Sequence, residues 1–142
     1  LYSLDKQQSS LVYYDKNTIV LTMPYWVKVT NSSVEDSEVK KHSFVLSYDP
    51  EAMTASDTKL KLYISHVVED AGETVTRSNF TYAYRAYSIR AALAAFKEKT
   101  GKLPKYLELT AEINNSKDEL VDKDGKETSV ERSVEYDYAF TE

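Results

Sequence analysis

Residues 12–19 read VYYDKNTI, which predicts a short strand, a polar turn and the start of a second strand. Aromatic and β-branched residues favour strands, and a short polar break between two such runs favours a hairpin. We therefore predict a hairpin over residues 10–23 that turns at 16–17. Because proline cannot donate to a strand ladder, we expect Pro24 to interrupt it, so that residues 25–30 bend away or form an edge strand.

Several later stretches alternate apolar and polar residues, as half-buried strands do. The segment at 31–41 differs, because it is polar and charged without apolar periodicity, and we expect an exposed loop there. The strand that starts at 59 turns at 69–72, and we expect it to pair with the strand at 73–86 as a long antiparallel hairpin. The predicted strands after the first hairpin span residues 42–48, 59–68, 73–86, 105–113 and 127–140.

One helix is predicted, over residues 88–100. Ser88 can cap its first turn, and Gly101 can adopt the left-handed conformation that ends many helices. Its apolar residues share one face, as in a helix that packs on a sheet. These residues are Ile89, Ala92, Leu93 and Phe96. We expect an α+β fold, with a twisted antiparallel β-sheet packed against this one main α-helix, in a single globular domain over residues 1–142.

Composition excludes several classes of function. Eighteen basic and 23 acidic residues give a net charge of −5, which argues against a nucleic-acid partner, because such binding neutralises phosphates. No apolar run approaches the roughly 20 residues that a membrane-spanning helix needs. The chain has no cysteine, so it forms no disulfide and offers no thiolate ligand or nucleophile.

The residues that could carry catalysis are few. His42 and His66 are the only histidines, and they lack the spacing of a metal site. His66 is in phase with the apolar residues of its strand and should face the apolar layer, whereas His42 is expected at the surface. Residues 122–125, DKDG, suggest a charged hairpin loop rather than a calcium loop, because Leu120 would stand at the first ligand position. We expect no catalytic residue, no metal and no cofactor.

Aromatic residues supply the best candidate for a binding surface. Phe80, Tyr82 and Tyr84 share one face of a predicted strand, with Arg77 and Arg85 on the opposite face. Tyrosines present large contact areas at low entropic cost, although such a face can equally be an ordinary solvated sheet surface. The only tryptophan lies in another strand, either exposed or covered by a loop. The candidate ligand-binding residues are Trp26, Tyr82, Tyr84 and Arg85.

Two short motifs near the start of the chain carry a family resemblance. YYDKNTI at residues 13–19 and WVKV at 26–29 resemble the hairpin and the following strand of bacterial surface-adhesin E-like proteins. The resemblance covers the first third of the chain. It implies an exported domain with an antiparallel sheet and a helix that acts by binding, and it implies no catalytic residues.

Together these observations favour a non-enzymatic bacterial domain that is exported to the cell surface or periplasm. We expect it to bind a protein or a glycan through an aromatic sheet face. One alternative is a structural or assembly subunit that pairs through an exposed strand, with a homodimer as one form. A second alternative is a small hydrolase-type enzyme that uses His66 with a nearby carboxylate.

Overall fold

Seven strands and one main helix form the part of the chain that the structure describes. The computed structural model describes residues 1, 11–69, 77, 79–113 and 130–140. The strands are β1 (Leu11–Asp15), β2 (Thr18–Val27), β3 (His42–Ser47), β4 (Lys59–Val68), β5 (Asn79–Ser88), β6 (Tyr106–Ile113) and β7 (Val130–Asp137). They form a three-stranded sheet in the order β1-β2-β5 and a four-stranded sheet in the order β3-β4-β6-β7. The α+β class is confirmed, but the expectation of one twisted sheet is wrong.

The strand pairing also differs from the prediction. The expected hairpin between β4 and β5 is wrong, because β5 pairs with β2 along ten positions in the other sheet. β4 lies between β3, with which it is antiparallel, and β6, with which it is parallel. The chain reaches β6 only after adding β5 to the first sheet, and a parallel neighbour requires such a crossover. The second sheet is therefore mixed rather than purely antiparallel.

The main helix matches its prediction closely. Helix α2 spans Arg90–Thr100, two residues shorter at its start than predicted. The hydroxyl oxygen of Ser88 lies 3.4 Å from the backbone nitrogen of Arg90, so it is placed to accept a bond from the first turn. The four apolar residues predicted to share a face are all buried. This is expected, because a stripe at helical spacing is buried against whatever the helix packs on.

Gly101 ends α2 in the left-handed conformation, at a φ of 81°. Its N–H donates to the carbonyl of Lys97 over 2.8 Å. A Cβ added at Gly101 would meet no atom within 4 Å, so Gly101→Ala should cost only the conformational penalty, about 1 kcal/mol of unfolding free energy. Urea unfolding of the two proteins measures this. Gly101→Asn is the control, since asparagine tolerates this conformation better, and an alanine variant as stable as the parent would contradict the prediction.

Two local predictions in the first third of the chain need correction. Pro24 does not interrupt the ladder, because β2 continues through it to Val27. β1 lies opposite only Thr18 to Leu21, so at Pro24 the described part of the sheet flanks β2 on one side only, where a strand tolerates proline. The segment at 31–41 is not simply an exposed loop either. It contains the short helix α1 (Asp36–Val39), whose Glu38 is buried.

Both sheets contribute to one hydrophobic core, which also receives the apolar face of α2. Tyrosine hydroxyls connect the edges of the two sheets on both sides of this core. Tyr87 of β5 donates to the carbonyl of Phe44 in β3 over 2.9 Å, and Tyr13 of β1 donates to the carbonyl of Asp137 in β7 over 2.6 Å. The edge of each sheet is therefore fixed against the other. Among the described residues, no helix combines the length and apolar character needed to span a membrane.

Candidate functional site

Three aromatic side chains form a row on the outer side of β5. Phe80, Tyr82 and Tyr84, called the aromatic face below, are 46%, 45% and 66% exposed. Ala83 between them is buried and points to the core, as the alternation of a strand requires. Exposed aromatic residues in a contiguous row are unusual on a monomeric surface and are typical of interaction sites. The sequence pattern predicted that the three rings share a face, and the structure places that face on the outer side of β5.

The rings of the aromatic face are not coplanar. Phe80 and Tyr82 meet edge to face, with ring centroids 5.9 Å apart and planes at 83°. Trp26 meets Phe80 at 90° over 6.3 Å. Edge-to-face pairing is a favourable aromatic geometry, but it produces a ridged surface. Flat stacking on successive sugar rings or bases needs parallel rings, so this surface fits interdigitating side chains better.

The four predicted binding residues occupy different environments. Tyr82 and Tyr84 lie side by side on the aromatic face. Trp26 is on the same side of the sheet, opposite Phe80 in the pairing register, but it is only 8% exposed and is therefore covered rather than offered to solvent. Arg85 lies on the other side of β5, where its guanidinium carbon is 5.6 Å from the centre of the Phe44 ring.

A buried chain of polar side chains is the second candidate site. Nε2 of His42 lies 3.0 Å from Oε1 of Glu38, and Nδ1 of His42 lies 2.8 Å from Nε2 of His66. Arg77, just before β5, places Nη2 2.8 Å from the same Glu38 oxygen. The Lys28 N–H donates to the other Glu38 oxygen over 3.1 Å. We call Glu38, His42 and His66 the histidine chain.

The prediction for His42 is wrong, since it is 6% exposed and not a surface residue. It shares the inward face of β3 with Phe44 and Leu46, and Glu38 covers it from α1. Because these three residues alternate along the strand, their spacing was the sequence signal that would have placed His42 on the inward face. His66 lies inward in phase with the buried residues of β4, as predicted. The partnership of Glu38 with both a histidine and an arginine had no signature in the sequence.

The hydrogen bonds assign the protons along the histidine chain. The carboxylate of Glu38 can only accept, so Nε2 of His42 carries hydrogen, and Nδ1 of neutral His42 must then accept from Nε2 of His66. Nδ1 of His66 is left to accept from the nitrogen of Leu1, which lies 3.2 Å away. Both histidines are thus neutral with the proton on Nε2. With this assignment, each of these three hydrogen bonds has one donor and one acceptor.

Burial, hydrogen bonds and nearby charges shift the pKa values of Glu38 and His66 in the histidine chain. Burial raises the pKa of Glu38, but hydrogen bonds from Arg77 and His42 and the Lys28 N–H outweigh it, so that the net shift is downward. Burial, with nearby positive charge including that of Arg77, lowers the pKa of His66 to about 3. His66 is consequently neutral, and a weak base, near neutral pH.

The ring nitrogens of the histidine chain lie against partners within the fold. Both ring nitrogens of His42 make hydrogen bonds, and Nδ1 of His66 lies against the nitrogen of Leu1. The described residues contain no cluster of three or more histidine or acidic side chains that could hold a metal ion. The histidine chain is suited to joining segments of the fold.

The fold and these two features define an α+β domain of two sheets and one main helix, with an exposed aromatic row and a buried histidine chain. No family model matches the chain, and no curated protein matches it. Among solved structures, it is similar to a protein of Bacteroides fragilis NCTC 9343 that carries the name "Putative lipoprotein". The TM-score is 0.75 at 28% identity, over 95% of this chain and 62% of the other. The chain therefore spans less than two thirds of the protein it matches.

Proposed function

We propose that this chain is a non-enzymatic domain of a bacterial protein exported to the cell surface or periplasm, and that it binds another protein through its aromatic face. The observation that carries the binding role is the row of Phe80, Tyr82 and Tyr84, each at least 45% exposed on one side of β5. Aromatic residues dominate the energetics of protein interfaces because they bury large areas at low entropic cost.

Three further observations support the proposal. The name of the Bacteroides protein suggests export and attachment to a membrane. The resemblance of residues 13–29 to surface-adhesin E-like proteins suggests export and binding. The non-enzymatic role is supported by the histidine chain, whose ring nitrogens point to partners within the fold. The edge-to-face rings favour a protein partner over a glycan.

The location of the native gene product is the first test. Cell fractionation with protease treatment of intact cells should place it outside the cytoplasm, with protease access if it is on the cell surface. A cytoplasmic product would contradict the export part of the proposal.

Alanine substitution tests the aromatic face. Tyr82→Ala/Tyr84→Ala should leave the melting temperature within a few degrees, because both side chains are largely exposed, and should weaken binding at least tenfold. The measurement is binding of the purified chain to a panel of extracellular-matrix proteins, with a glycan array in parallel. Val45→Ala/Val67→Ala, at two positions 52% exposed on the other sheet, is the matched control. Equal affinity of the tyrosine variant and the parent would exclude this face.

One observation favours a second candidate, an assembly subunit that pairs through a strand. Among the described residues, β5 pairs only with β2, so its other edge has no described partner strand. Edges of this kind can pair with another chain, and charged residues commonly protect them. Arg85 donates to the backbone carbonyl of Tyr84 over 3.0 Å, as expected of such protection. A dimer in light scattering that Ala86→Lys abolishes would favour this candidate.

A further inference from the structure

The histidine chain joins parts of the fold that are distant in sequence. Glu38 comes from the four-residue helix α1, His42 from β3, His66 from β4 and Arg77 from the segment that enters β5. A helix of one turn has little stability of its own, so α1 depends on its tertiary contacts. Glu38 makes several of these, to His42, to Arg77 and to the Lys28 N–H. Whatever breaks the bonds of Glu38 therefore loosens α1 and the Arg77 side chain first.

The donor-to-acceptor directions of the hydrogen bonds along the histidine chain leave no acceptor for an additional proton. A proton on Nδ1 of His66 would set an N–H against the hydrogen-bearing nitrogen of Leu1. A proton on Nδ1 of His42 would set it against the N–H of His66, 2.8 Å away. Either arrangement places two donors face to face and adds a positive charge to a buried site. The bonds must then open before the proton can be solvated.

The groups around His66 also disfavour a positive charge on its ring. The described titratable and charged groups that face it are Tyr25 from β2, with ring centroids 5.7 Å apart, His42 from β3, the Leu1 nitrogen and the charge of Arg77. Phe44 stacks on its other face at 4.7 Å. Glu38 is the one carboxylate at this site in the described residues, and Arg77 and His42 already engage it.

We propose that the histidine chain is an acid-sensitive latch: protonation breaks it and releases α1 and the Arg77 side chain while the two sheets remain folded. His42 and His66 lie on the inward side of their strands, whereas the aromatic face is on the outer side of β5. The proposal is independent of the binding role, and either can fail without the other.

The direction and size of the effect follow from proton linkage. The pKa of His66 is about 3 in the closed state against an ordinary 6.5, so its contribution to the closed state is complete above pH 6.5 and is lost as the pH falls towards 3. One proton gained on opening shifts the equilibrium about tenfold per pH unit in that window. From pH 6.5 to 5, His66 alone should increase opening about sixteenfold, because half of it is already protonated in the open state at pH 6.5. Glu38, whose pKa is lowered in the closed state, loses its contribution only as the pH falls below the ordinary range of a glutamate carboxyl, so the window from pH 6.5 to 5 reports mainly His66.

Hydrogen exchange of single backbone amides tests the latch. The Lys28 N–H, which donates to Glu38, reports opening of the latch, and the Leu62 N–H in the middle of β4 reports unfolding of the sheet. After correction for intrinsic exchange rates, the Lys28 opening constant should rise at least tenfold from pH 6.5 to 5 and stay above that of Leu62. Coincident opening constants for the two amides would overturn the proposal, because the opening would then be global.

His66→Gln is the matched variant. The glutamine amide can still donate to Nδ1 of His42 but does not titrate, so the factor of about sixteen that His66 contributes to acid-induced opening at Lys28 should disappear. An unchanged pH dependence in this variant would overturn the proposal.

Nitrogen chemical shifts of the two histidines in the unmodified protein give a test that needs no variant. Both rings should be neutral with hydrogen on Nε2 at pH 6, and ordinary titration near pH 6.5 with Lys28 still protected would equally overturn it.

Discussion

Replacing Glu38 by alanine is expected to lower the free energy of unfolding by about 3–5 kcal/mol, the cost of removing one partner from a buried ion pair. The Glu38 side chain is 7% exposed and that of Arg77 is 13% exposed. Without the carboxylate, the Arg77 charge loses a described partner and the Nε2–H of His42 loses its acceptor. Buried donors without acceptors carry their full desolvation penalty. Urea unfolding at pH 7 measures the loss.

Three variants make this result specific. Glu98→Ala makes the same chemical change on the exposed face of α2 and should cost less than 0.5 kcal/mol, the usual range for such surface sites. Glu38→Gln keeps an acceptor for His42 and should fall between. In Glu38→Ala/Arg77→Ala the charge is removed with its partner, so the loss should be smaller than the sum of the single losses. Strict additivity would show that the two side chains do not act as a pair.

Phe96→Ala is expected to cost about 3–5 kcal/mol, because Phe96 is fully buried where α2 enters the core. The substitution removes a large apolar side chain and leaves a cavity that the packed sheets can only partly close. Phe96→Leu retains much of the volume and should cost clearly less. Urea denaturation with the slope compared between variants gives both values, since an unchanged slope shows that the same surface is exposed on unfolding.

Tyr84→Ala provides the contrast for this measurement. It also removes an aromatic ring, but from a position 66% exposed, and should cost well under half as much. If the two alanine variants lost the same free energy, α2 would not be packed against the core as the structure shows.

Local periodicity predicted the parts of the fold that depend on neighbours in sequence. α2 was recognisable from the spacing of four apolar residues and from Gly101, and both ends were placed within two residues. The first hairpin followed from its polar turn, and the shared face of Tyr82 and Tyr84 followed from strand alternation. In each case the residues of the element itself indicate which side chains share a face, because the period of the backbone decides this.

The tertiary structure decided which strands pair and which polar groups meet. Alternation states which face of β4 or β5 is buried but not which strand lies beside it, so an apparent hairpin became two strands in different sheets. Glu38 and His42 were both expected at the surface, because a charged or polar side chain carries no local signal of burial. They enter the core only because distant segments bring an acceptor and its donors within hydrogen-bonding distance, which offsets the desolvation that would otherwise exclude them.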